Sequence, residues 1–74
     1  MQKLSDIAIG KEYIIDAINV DEFAKKLLEM GCTPGEKIMV ERKAPFNDPI
    51  AIVVSGFMLS LRKEDAEKII VKKL

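Results

Sequence analysis

The chain has 74 residues, with 12 Lys+Arg, 12 Asp+Glu, no His, one Cys and 49 % hydrophobic residues. At this length one domain over residues 1–74 is the expectation, and size scaling gives a folded surface of about 4,600 Å² against about 12,000 Å² extended. A lone thiol excludes an internal disulfide, and the lack of His removes the usual neutral-pH base and the commonest metal ligand.

A formal net charge of zero argues against a phosphate-backbone binder, which needs a basic stripe. The charge is nevertheless uneven. Residues 1–36 hold 4 Lys against 7 acids, net −3, and residues 37–74 hold 8 Lys+Arg against 5 acids, net +3. This is either ordinary solvated faces or a dipolar surface that orients the domain on a partner. The longest uncharged run, Pro49 to Leu61, is shorter than the ~20 residues of a spanning helix and is interrupted by Ser55, Gly56 and Ser60. Lys3, Asp6, Lys11 and Glu12 stand where an export signal needs an apolar run. A cytoplasmic location without direct membrane insertion is expected.

In chain order, Glu12 to Ile18 reads as a strand. Tyr13 and Ile15 share one parity and Ile18 has the other, so a bulge between them is expected. A helix over about residues 20–30 follows, with Asn19 and Glu22 as a capping box and Val20, Phe23, Ala24, Leu27, Leu28 and Met30 as its apolar stripe. Gly31 suits the left-handed residue that ends a helix. Thr33-Pro34-Gly35-Glu36 has the pattern of a type II turn. Ile38 and Val40 alternate with Met39 and Glu41 as the next strand. Residues 50–61 form a hairpin around Ser55-Gly56, pairing Val54 with Phe57, Ile52 with Leu59 and Ile50 with Leu61 on one apolar face. The other face carries Val53/Met58 and Ala51/Ser60. A short helical turn near 64–68 and a closing strand through Ile69, Ile70 and Val71 complete the chain. About five short strands and one helix favour a closed or nearly closed small barrel, mainly β, with an open α+β sheet as the competing architecture.

The side chains offer little chemistry. Cys32, Ser5, Ser55 and Ser60 are the available nucleophiles, and none has a His to act as base, so catalysis is not expected. Cys32, between a helix-ending Gly and apolar segments, reads as a buried, inert thiol. No dedicated zinc or redox-iron site can be assembled from the usual ligands, and no cofactor is expected. Carboxylates at Asp21, Glu22 and Glu29, or at Glu64, Asp65 and Glu67, leave only weak binding of Fe²⁺ or another divalent metal, and they read first as solvated helix faces. No glycine-rich phosphate loop precedes a helix. Tyr13, Phe23, Phe46 and Phe57 do not interleave with Arg42, Lys43 and Arg62 as a nucleic-acid face requires.

Binding is what remains. Met39, Val53 and Met58 point away from the expected core on neighbouring strands, which marks either a protein-contact patch or the scattered apolar exposure normal for any surface. The loop Lys43–Pro49 carries Pro45, Phe46, Asp48 and Pro49, and it is either a plain connector or a preorganised contact surface.

Leu4 with Gly10, Leu27-Leu28-Glu29-Met30-Gly31, Thr33-Pro34-Gly35, Ala44-Pro45, Asp48-Pro49-Ile50, Gly56 and Leu59-Ser60-Leu61-Arg62, in this order and spacing, resemble the FeoA family. The resemblance runs from Leu4 to about Val71. It implies an SH3-like barrel and a cytoplasmic accessory role in bacterial ferrous iron uptake beside FeoB, the membrane transporter with a G-protein domain. Regulation of transport or of the nucleotide cycle is the implied role. The same fold occurs in metal-dependent repressors, so a free-standing metal-sensing or nucleic-acid-binding barrel is the alternative. Met39, Ala51, Val53 and Met58 occupy positions often polar in that family, so the face they form is expected to meet FeoB or another copy of the same protein.

Overall fold

The computed structural model describes residues 2–19 and 24–74. It contains β1 (Gln2–Lys3), β2 (Glu12–Ile18), α1 (Ala24–Glu29), β3 (Lys37–Lys43), β4 (Ile50–Val54), β5 (Phe57–Leu61), α2 (Lys63–Ala66) and β6 (Ile69–Lys73), with short 3₁₀ turns at Leu4–Asp6 and Pro45–Asn47. The strands form one antiparallel sheet in the order β1-β6-β2-β3-β4-β5. The exposed surface of the described chain is 4707 Å², close to the value its size implies. Six strands replace the five expected, because two residues at the start pair with β6 through Gln2↔Val71 and Lys3↔Ile70.

Strand parity builds the core. Tyr13 and Ile15 of β2, Ile38 and Val40 of β3, and Ile50, Ile52 and Val54 of β4 are all buried, together with Leu4, Leu27, Cys32, Leu61, Ile69 and Val71. The register of β2 against β6 shifts between Ile15 and Ala17, which is the expected bulge. Asp16 is the extra residue, and its Oδ1 lies 3.6 Å from Lys72 Nζ. A second shift, between Val40 and Arg42 of β3, carries no sequence signal.

The hairpin has the expected register throughout, from Ile50↔Leu61 to Val54↔Phe57. Ser55 (φ 52) and Gly56 (φ 80) are both left-handed, the mirror-image turn whose twist matches a two-residue hairpin. Phe57 corrects one expectation. It stands on the core-facing parity but is 68 % exposed. It sits at the turn end of β5, the edge strand of the sheet, and among the described residues no further strand covers it.

The described part of α1 ends as its sequence requires. Cys32 N–H donates to Leu27 C=O (3.0 Å) and Gly31 N–H to Leu28 C=O (3.1 Å), with Gly31 at φ +99. This is a Schellman cap, and the two residues it ties, Leu27 and Cys32, are both buried. Leu28, expected in the apolar stripe, is exposed. The capping box of Asn19 with Glu22, the helix start at Val20 and the positions Asp21 and Phe23 lie outside the described residues. Glu36 N–H donates to Thr33 C=O (3.1 Å) across Pro34-Gly35, and Gly35 has φ +95, as a type II turn demands.

Candidate protein-contact surface

On β2, β3, β4 and β5 the register places Glu12, Met39, Val53 and Met58 directly opposite one another in a single row. Their chain neighbours Tyr13, Ile38, Val40, Ile52 and Val54 fill the core, so the row lies on the outer face. Met39 and Val53 are half-buried between their neighbours, and Met58 is 61 % exposed. Beside it runs a second row, Arg42–Ala51–Ser60. Met39 and Val53 floor a groove of about 430 Å³ whose rim includes Glu12, Glu36 and Lys37.

The loop after β3 borders the second row. Pro45 and Pro49 line a groove of about 410 Å³ together with Arg42, Ala51 and Ser60. Its base is closed by Ala44 N–H to Pro49 C=O (3.0 Å) and Asn47 N–H to Ala44 C=O (2.8 Å). The Asp48-Pro49 peptide is cis. Phe46 (φ 66, ψ 17) and Asn47 (φ 61) are consecutive left-handed residues, a conformation that disfavours any side chain with a Cβ. The ring of Phe46 is 96 % exposed. An aromatic side chain is thus held in water by a strained, hydrogen-bonded loop.

The structure brings Met39, Val53 and Met58 together, and through Ala51 it joins them to Pro45 and Pro49 as one surface. Phe46 stands at the tip of the same loop. Asp48 instead supports the fold, since its Oδ1 accepts a hydrogen bond from Lys63 N–H (3.1 Å), the first residue of α2. Sequence reasoning missed the acidic rim of Glu12 and Glu36. Extending the hairpin register to β3 would have placed Met39 opposite Val53, but the pairing of β2 with β3 has no comparable local signal.

The remaining polar chemistry is sparse. The Cys32 thiol is buried, and desolvation raises its pKa from 9.0. Ser5 is buried, and its backbone carbonyl accepts from Lys43 Nζ (3.2 Å). Among the described residues no three His, Cys, Asp or Glu side chains are arranged to hold a metal ion. Among those residues no helix is long and apolar enough to cross a membrane.

A small, mainly β domain of six strands with one short helix at each side of the chain's middle strands defines the class of fold. A family model described as FeoA domain matches residues 2–73, and the chain belongs to the FeoA family, whose members function in ferrous iron transport. It is 37 % identical over 68 residues to the Fe(2+) transport protein A/Fe(2+) transporter FeoB fusion protein of Porphyromonas gingivalis, covering 90 % of this chain and 8 % of the fusion. The solution structure of iron(II) transport protein A from Clostridium thermocellum superposes with a TM-score of 0.92 at 35 % identity, over 99 % of this chain and 46 % of that one. The chain therefore spans less than half the length of either relative. FeoA of Stenotrophomonas maltophilia complexed with zinc, described as a procaryotic SH3 domain protein, superposes at 0.86 with 22 % identity, over 97 % of this chain and 91 % of that chain, and shares the SH3-like fold.

Proposed function

We propose that this chain is a non-catalytic accessory of ferrous iron uptake that acts by binding the cytoplasmic part of a FeoB-like transporter and regulating its transport or G-protein cycle. The observation that carries this reading is the fusion relative, in which a segment 37 % identical to this chain is covalently joined to FeoB. Joining two domains in one polypeptide raises their effective concentration, an arrangement suited to domains that work in contact. The outer face supports the same reading, since Met39, Val53 and Met58 are adjacent apolar groups in one row, with Met58 exposed at its end. The chain then works through protein contacts, without a tightly held metal of its own. Co-purification of this chain with the cytoplasmic part of the transporter, with and without guanine nucleotide, tests it. Retention of the pair at stoichiometric ratio is expected, and elution as two separate species contradicts it.

A further inference from the structure

We propose that the outer face and the Phe46 loop are self-complementary, so that two copies of this chain pair face to face about a two-fold axis. In this dimer Phe46 of each copy occupies the Met39–Val53 groove of the other.

The surface holds both halves of the contact. At one end Pro45 and Pro49 lie with the exposed cation Arg42 along one groove, and the residue after Pro45, Phe46, is the exposed apolar knob. At the other end is a groove floored by Met39 and Val53, whose rim has the carboxylates Glu12 and Glu36 against the single cation Lys37. Glu12, Glu36 and Arg42 have no ion-pair partner among the described residues, where the pairs are Lys68–Asp65 and Lys72–Asp16. Pro49 and Val53 are four residues apart along β4, so knob and groove are separated by about 13 Å on one face. Between them lie the small side chains Ala51 and Ser60, which let two sheets approach. An axis crossing the strands near Ala51 and Val53 reverses the strand direction of one copy over the other. Each knob then faces a groove, and each Arg42 approaches Glu12 of the partner subunit.

This is an isologous contact, closed at two copies. An ordinary interface of about 800 Å² per partner would take roughly a sixth of the surface. The dimer stands independently of the transporter contact. If both use this face they exclude one another, and self-association becomes a means of withholding the chain from its partner.

Sedimentation equilibrium of the purified chain alone, from about 10 μM to 1 mM, tests the proposal in the range of a modest interface. The weight-average mass is expected to rise across that range from near the monomer mass toward twice that value. Phe46→Ala is expected to raise the dissociation constant at least about tenfold, as for a central aromatic anchor. Arg42→Glu is expected to weaken the dimer, and Arg42→Glu combined with Glu12→Arg to restore it, with circular dichroism unchanged in all three. A monomer at every concentration overturns the proposal, and so does a dimer that survives Phe46→Ala or is not restored by the charge exchange. No transporter is present, so these outcomes are distinct from a failure of the function proposed above.

Discussion

Asp48 Oδ1 accepts a hydrogen bond from the backbone N–H of Lys63, tying the loop before β4 to the first turn of α2 at 3.1 Å. A carboxylate at a helix N-terminus satisfies an otherwise unpaired donor and meets the positive end of the helix dipole. Asp48→Ala is therefore expected to destabilise the fold by about 1 kcal/mol. In a chain of this size that lowers the thermal midpoint by about 4–8 °C, measurable by circular dichroism.

Phe46 is expected to behave in the opposite way. Its left-handed backbone (φ 66) strains a residue with a Cβ, and its ring makes no use of burial. Phe46→Gly relieves about 1–2 kcal/mol of strain and gives back part of it through the greater freedom of unfolded glycine. The net expectation is a stabilisation of about 0.5 kcal/mol, a rise of about 2–4 °C in the midpoint. Association should fall in the same variant. Gain of stability with loss of binding is the signature of a residue kept for contact.

The hairpin and the first bulge were legible because they are local. Alternating apolar residues on both sides of Ser55-Gly56 leave one register that buries Ile50, Ile52 and Val54, and the parity break between Ile15 and Ile18 leaves room for one extra residue. The Schellman end of α1 was announced by Gly31. What escaped depends on tertiary surroundings. Phe57 has core parity but lies at the free end of an edge strand, and parity does not tell how far a barrel extends. The bulge after Val40 leaves the composition of β3 unchanged. The left-handed Phe46 has no signature, because nothing in Pro45-Phe46-Asn47 requires positive φ of a phenylalanine. Of the proposed contact surface, Met39, Val53 and Met58 followed from parity, whereas Arg42 and the acidic rim needed the pairing of β2 with β3 and of β3 with β4.

Cys32 gives the fold a dependence on alkaline pH. Burial raises the thiol pKa above its ordinary value of 9.0, so the unfolded chain loses this proton first. Stability from this group is complete below pH 9.0 and falls as pH rises toward the folded-state pKa, by at most about 1.4 kcal/mol per pH unit. Urea titrations at pH 8 and pH 10 should show this loss, and Cys32→Ala should remove that part of it. Thiol reagents should label the native protein slowly and the urea-unfolded protein at once.

Metal should leave the fold unmoved. A ligand bound to the native state at a hundred times its dissociation constant adds about 2.7 kcal/mol. With no assembled ligand cluster among the described residues, anaerobic Fe²⁺ at micromolar level is expected to shift the thermal midpoint by less than a degree or so. A saturable upward shift lost on mutating Glu64, Asp65 and Glu67 would favour a metal sensor.

Ile52 and Val53 are adjacent on β4 and face opposite sides, which makes them the sharpest probe of the contact reading. Ile52→Ala removes a fully buried side chain and is expected to cost about 2–5 kcal/mol of stability. Val53→Glu places a charge on the outer face and should leave the fold intact. The decisive measurement is a calorimetric titration of the cytoplasmic part of the transporter with the native chain and with Val53→Glu. Saturable binding by the native chain, weakened at least about tenfold by Val53→Glu at unchanged thermal stability, is the predicted result. Equal affinity for the two, or no binding by the native chain, would contradict a role through this face.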